Sequence, residues 1–327
     1  MRSIDKILVA VTDPSHRPGS TLNRAMGLAE HYGAQVELFT CIYNQYLAGE
    51  RFFDTPGLQR ARETLVGLKQ KELDALAADL TTDSVMVSAK TAWDYPVYEG
   101  IVRHVMESGA GLLVAESTAR SKTKRVQLSN TDWQLVRTCP CPLLLAKSDE
   151  WTGYDNIVAA VDPMHDHDKP AHLDHKILEA AASFADKFRG KLDVFHAFKP
   201  ITATSLGSEV TMLPVDYTEE MLERTHLEEL HELVAGHGIT PNRVHLQGGA
   251  TEKALSDFVG GRKSSLVVMG AVSRNMLKRL FIGSTAERVL DRLNCDVLVI
   301  KPDGFESKVK AEHRHTVTES GDVQGLV

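Results

Sequence analysis

Cysteine is scarce in this chain. There are four, Cys41, Cys139, Cys141 and Cys295, none in a C-x-x-C pair and three in or beside apolar runs. That count excludes a disulfide-built scaffold and reads as reduced, buried thiols in a cytoplasmic protein. Aromatic residues supply only 6% of the chain, and Trp93, Trp133 and Trp151 read as packing residues rather than stacking platforms. Positive charge is not in excess: the formal net charge is −7, against the basic face that nucleic-acid binding needs. No apolar run approaches the roughly twenty residues of a membrane span. The opening MRSIDKILVAV lacks a long apolar core and a small-residue cleavage site, because Asp13 and Pro14 end the run, so no signal peptide is expected. There is no G-x-S-x-G elbow or other catalytic constellation, and the carboxylates of residues 219–232 read as a solvated helix face.

What is present is a repeat. At 327 residues, 43% apolar and 25% charged, the chain has the composition of a globular protein too long for one small core. Residues 6–14 read KILVAVTDP and residues 156–163 read NIVAAVDP. Residues 112–147 close the first half with LLVAES through CPLLLAK, and residues 267–301 close the second with VVMGAVS through CDVLVIK. Asn130-Thr131 falls on Ser284-Thr285, and the run from Cys141 falls on that from Cys295. The chain is therefore a tandem duplication. Its expected divisions are a domain at 1–150, a domain at 151–303 and a disordered tail at 304–327.

Each unit alternates short apolar runs with longer amphipathic ones. In the first, strands are expected at 6–11, 36–41, 85–88, 111–115 and 142–146. Helices are expected at 20–32, 58–80, 96–107 and 130–137, with Pro96 in the first turn of its helix. In the second, strands are expected at 157–161, 192–196, 243–246, 265–269 and 297–301, and helices at 173–188, 219–236, 251–260 and 285–293. Alternation of this kind gives parallel βαβ units and a doubly wound sheet, with ligands beyond the carboxyl ends of the strands. Each unit also ends in an apolar strand whose bare edge would invite aggregation. The two terminal strands are therefore expected to pair with each other.

The stretch from Leu266 to Thr285 carries the strongest signal. A buried strand stops at Gly270, a basic loop runs through Arg274, Lys278 and Arg279, and Gly283, Ser284 and Thr285 open a helix. That order suits an anion held by backbone N–H groups at a helix N-terminus, although an ordinary strand-to-helix loop has the same glycines. The spacing Gly270-x2-Ser273-x9-Gly283-Ser284 is neither a phosphate loop nor a G-x-G-x-x-G fingerprint. It resembles the nucleotide motif of the universal stress proteins, Gly-x2-Gly-x9-Gly and a small polar residue, with Ser273 in place of the middle glycine. The resemblance spans both units, and two such domains in one chain look like the family's tandem bacterial type.

The resemblance implies two tandem Rossmann-like parallel-sheet domains, in the flavodoxin-like strand order, forming a pseudo-twofold intrachain dimer. It also implies a cytoplasmic stress-response protein that binds an adenine nucleotide, ATP or AMP, with Mg as an open companion. In the second unit Asp162 matches the aspartate near the adenosine. Gly270, Ser273, Gly283, Ser284 and Thr285 match the phosphate loop, with Arg274 within reach of the outer phosphates. In the first unit Asp13 remains, but Ala115, Thr118, Ser129 and Asn130 stand at the motif positions, so that site reads as a relic. Both aspartates also fit a plain Asp-Pro turn.

A second cluster is HDHDKPAHLDH, with His165, His167, His172 and His175. Its density could bind a divalent ion, but its spacing is no familiar metal motif, so no metal site is expected and the segment reads as a solvated polar loop before a helix. Two other functions stay open, a slow ATPase and a binding module for an apolar, non-nucleotide ligand. The second would use residues 44–56 and 201–214, with Phe52, Phe53, Leu206, Met212 and Leu213.

Overall fold

The computed structural model describes residues 4–15, 19–49, 55–117, 128–147, 151–165, 172–200, 219–270 and 284–311. The first unit runs β1 (Lys6–Ala10), α1 (Gly19–Tyr32), β2 (Gln35–Ile42), α2 (Pro56–Leu80), β3 (Val87–Trp93), α3 (Val97–Ser108), β4 (Leu112–Glu116), α4 (Asn130–Thr138) and β5 (Leu143–Ala146). The second runs β6 (Asn156–Ala160), α5 (Leu173–Phe188), β7 (Lys191–Phe198), α6 (Glu219–Ala235), β8 (Val244–Gly248), α7 (Thr251–Arg262), β9 (Leu266–Gly270), α8 (Ser284–Arg292) and β10 (Asp296–Ile300).

All ten strands join one sheet in the order β3-β2-β1-β4-β5-β10-β9-β6-β7-β8. Within each unit every pairing is parallel; only β5 and β10, at the centre, run antiparallel. Each unit thus has the order 3-2-1-4-5 rather than the expected flavodoxin-like 2-1-3-4-5, because the chain steps outward again after its second strand before returning past the first. The first and fourth strands flank the reversal.

Alternate side chains of each strand feed two layers. Ile7 and Val9 join the core under α1, α2, α5 and α6, whereas Leu8 joins the core under α3, α4, α7 and α8. Central parallel strands are covered on both faces, which is why they read as continuous apolar runs. At the junction Leu144 faces Leu298, flanked by Leu145–Val297 and Leu143–Val299. Leu144 and Leu298 are equivalent residues of the two units, so the pseudo-twofold axis passes through this pair. The edges expected to be hazardous are buried against each other.

Three expectations need correction. The third strand lies at Val87–Trp93 rather than 85–88; it is a sheet edge whose polar alternation, Ser88 and Lys90, hid it. Pro96 is the N-cap of α3 with extended backbone, not a first-turn residue. The tail is ordered at its start: Val309 is buried in the second core and Phe305 lies under the Lys301 ammonium. Residues 312–327 lie outside the described residues.

Candidate functional site

At each strand-order reversal the loops leaving the two inner strands part to opposite sides and leave a crevice. In the second unit that crevice lies beyond β6 and β9. Asp162, two residues past β6, is tied down by its backbone N–H, which donates to Asp174 Oδ1 at 3.3 Å in the first turn of α5. Its own carboxylate is 36% exposed and lies 3.9 Å from Nδ1 of buried His196. Since the Val161 carbonyl can only accept, His196 donates to it from Nδ1 at 3.1 Å. His196 Nε2 lies 2.8 Å from His226 Nδ1 on α6, and in the neutral ring it is the acceptor there. This buried histidine pair was not legible in the sequence, since each is a single imidazole in an otherwise ordinary strand or helix.

Gly270 ends β9, beside Asp162 across the crevice. A Cβ there would meet Leu173 Cδ2 at 2.8 Å and Ile177 Cδ1 at 3.4 Å, so the glycine lets α5 pack close to the strand end. Ser273, Arg274 and Gly283 lie outside the described residues. α8 begins at Ser284, with Thr285 half-buried in its first turn.

The first unit differs at each of these points. Strand pairing sets Ile7 against Leu112 and Ile157 against Leu266, so the residue equivalent to Gly270 is Glu116. The sequence match had put Ala115 there, one residue out of register. A glutamate therefore stands where the second unit has its strand-end glycine. Asp13 Oδ1 is engaged by Ser15 N at 3.1 Å, Ser15 Oγ at 2.8 Å and Lys69 Nζ at 3.2 Å. At the start of α4, Ser129 and Asp132 form a reciprocal capping box: Asp132 N–H donates to Ser129 Oγ at 3.2 Å, and Ser129 N–H donates to Asp132 Oδ2 at 2.7 Å. The acid already occupies the positive end of that helix. Counting from the matched helix starts, Asn130 and Ser284, the second unit has Ala286 in place of Asp132. Glu287, the next residue, is drawn aside to Arg137 of α4 at 2.8 Å.

The histidine cluster divides. His172 is the left-handed N-cap of α5 and His175 lies within that helix, whose span is the expected 173–188. His175 Nδ1 lies 2.9 Å from Nε2 of His237, a residue the sequence had not linked to it. Burial, and then His175, pull His237 below the usual histidine range. Among the described residues no group of three or more His, Cys, Asp or Glu could hold a metal. His167 and the side chain of His165 lie outside the described residues. So do Phe52, Phe53, Leu206, Met212 and Leu213, the proposed apolar lining.

Sequence and structure comparisons agree on the ancestry of both units. A model of the universal stress protein family matches residues 3–147 and again 153–301. Universal stress protein E of Photorhabdus laumondii is 25% identical over 306 residues, covering 93% of this chain and 97% of that protein. Its namesake in Escherichia coli K12 is 24% identical over 305 residues, covering 93% and 96%. A solved putative universal stress protein from Pseudomonas aeruginosa UCBPP-PA14 superposes with a TM-score of 0.67 at 26% identity, covering 92% of this chain and 94% of that one. Matched twice over and along nearly its whole length, this chain belongs to the universal stress protein family.

Proposed function

We propose that the chain binds an adenine nucleotide, ATP or AMP, in the crevice of its second unit, and that the bound state rather than turnover is its output in a stress response. The supporting observation is the asymmetry between the crevices: Glu116 and a self-capped helix in the first, Gly270 and a helix start with Ala286 at the acid's position in the second. In this reading Gly270 and Gly283 offer bare backbone to the phosphates, and Ser273, Ser284 and Thr285 offer hydroxyls. Arg274 answers the outer phosphates and Asp162 borders the adenosine. Among the described residues no helix is long and apolar enough to cross a membrane, and the cytoplasm is the compartment we infer.

Titration calorimetry on the intact chain tests this. One site is expected, abolished by Gly283→Val through bulk at the closest approach, and strengthened or unchanged by Ser273→Gly. Two equivalent sites, or binding indifferent to Gly283→Val, would overturn the proposal. No binding by either nucleotide would favour the apolar-ligand function.

A further inference from the structure

Two of the four cysteines lie where their neighbours give them chemistry that the nucleotide crevice does not use. Cys139 caps the C-terminal end of α4 and Cys141 leads into β5, with Pro140 between them and Pro142 after. Their sulfurs are 3.6 Å apart. The two prolines fix neighbouring φ angles, so little chain entropy is lost in holding the thiols together. Cys139 is fully buried, while Cys141 is half-buried and lines a groove of about 1200 Å³ that also takes in His172, His175, His237 and Lys301. Lys301 is the cation whose charge acts on Cys139.

We propose that Cys139 and Cys141 are a modification site: a reversible disulfide forms between them, with hydrogen peroxide or an organic hydroperoxide arriving through the groove as oxidant. The groove-facing Cys141 sulfur takes one peroxide oxygen, the O–O bond breaks, and a sulfenic acid and water (or an alcohol) result. The Cys139 sulfur then attacks the Cys141 sulfur and displaces hydroxide, which leaves as water with the remaining thiol proton. In sum, two thiols and hydrogen peroxide give one disulfide and two waters. The sulfurs need to close from 3.6 Å to about 2.0 Å.

The assignment of roles follows from the contacts. The two sulfurs share one contact at 3.6 Å, and the Cys141 thiol also has the Pro142 carbonyl as an acceptor at 3.4 Å. Cys141, half-buried on the groove, is the sulfur that the oxidant meets, and Cys139, buried 3.6 Å behind it, is the thiol that closes the disulfide. A disulfide closed across a single residue is strained, which keeps it reducible. Cys41 and Cys295 serve as internal controls, since among the described residues neither has a second sulfur beside it to close a disulfide.

The test needs no variant. The intact chain is treated with hydrogen peroxide, unfolded, alkylated, and mapped by peptide mass spectrometry before and after dithiothreitol. Cys139 and Cys141 are expected to lose alkylation together, at least about tenfold faster than Cys41 and Cys295, to appear as one cross-linked peptide, and to return on reduction. In Cys139→Ser, a sulfenic-acid trap should label Cys141. Continued alkylation of both thiols in the native sequence, loss at Cys41 or Cys295 at the same rate, or oxidation that dithiothreitol does not reverse would each overturn the proposal.

Discussion

A buried carboxylate is tolerated only when donors surround it, and Asp296 shows what that requires. It is 1% exposed and accepts from Arg24 Nε at 2.5 Å, Arg24 Nη2 at 3.1 Å, the Lys147 backbone N–H at 2.9 Å and Tyr154 OH at 2.9 Å. The guanidinium comes from α1 of the first unit, the carboxylate from the start of β10 in the second, and the phenol from the segment joining them. One residue thus ties three parts of the chain. Neither Arg24 nor Asp296 has such a partner at its equivalent position, so no repeat comparison could have found the pair. Asp296→Ala should cost about 3–5 kcal/mol, because it leaves a fully buried cation uncompensated. Urea unfolding of Asp296→Ala and of the double variant Arg24→Met/Asp296→Ala checks this: the double variant should be the more stable. A single-variant loss under about 1 kcal/mol would mean that solvent reaches the pair.

At the scale of elements, α4 starts on a reciprocal capping box, whereas α8 has Ala286 at the position of its acid, and the proposed function gives that second helix start to the ligand. Ser129→Ala removes one half of the capping box on α4 and should cost about 1 kcal/mol in urea unfolding. Nucleotide affinity should be unchanged, since the cap belongs to the first unit. A loss of nucleotide binding in this variant would show that the first crevice takes part after all. Most elements were legible because buried strands and amphipathic helices write their periods into the sequence: α5 matches its expected span, and β1, α1, α4 and β6 shift by a residue. What was not legible depends on pairing across the sheet. Glu116 and Ala115 differ by one position, and only the register of β4 against β1 decides which residue replaces Gly270. The alignment of LLVAES with VVMGAVS favoured the wrong one, since each opens with an apolar run that can slide by one residue. His196 and His226 met for the same reason, through neighbouring elements rather than neighbouring positions. The places of Asp162 just past β6 and of Gly270 at the end of β9 were legible, as each follows an apolar run that its own sequence identifies.

The whole molecule is held by a symmetric exchange at its centre. Lys147, just past β5, donates to the carbonyls of Leu290 and Leu293 at the end of α8, the latter at 2.8 Å. Its counterpart Lys301, just past β10, donates to the Val136 carbonyl at the end of α4. Each lysine thus caps the last helix of the opposite unit, a favourable place for a cation. Burial nevertheless pulls both ammonium groups down to about 8; around Lys147 stand Cys295, Asp291, Asp132 and Asp296, and beside Lys301 stands Cys139. The sign of the pH dependence follows. Between about 8 and the unfolded value of 10.5 the unfolded chain holds more protons on these lysines than the folded one, so their contribution to stability rises with pH. From pH 8 to pH 9 the gain is about 1 kcal/mol per lysine, on the order of the full linkage slope. Above the ordinary thiol value of 9.0, Cys41 and Cys295, raised to about 12, work the other way, because the unfolded thiols lose protons that the folded ones keep. The lysine effect is therefore cleanest between 8 and 9. Urea unfolding across that window should show stability climbing in the native sequence and a flatter profile in Lys147→Met/Lys301→Met, whatever the variant's absolute stability. Equal slopes in the two proteins would mean that the ammonium groups stay fully charged at the junction, held there by the helix-end carbonyls against the cost of burial.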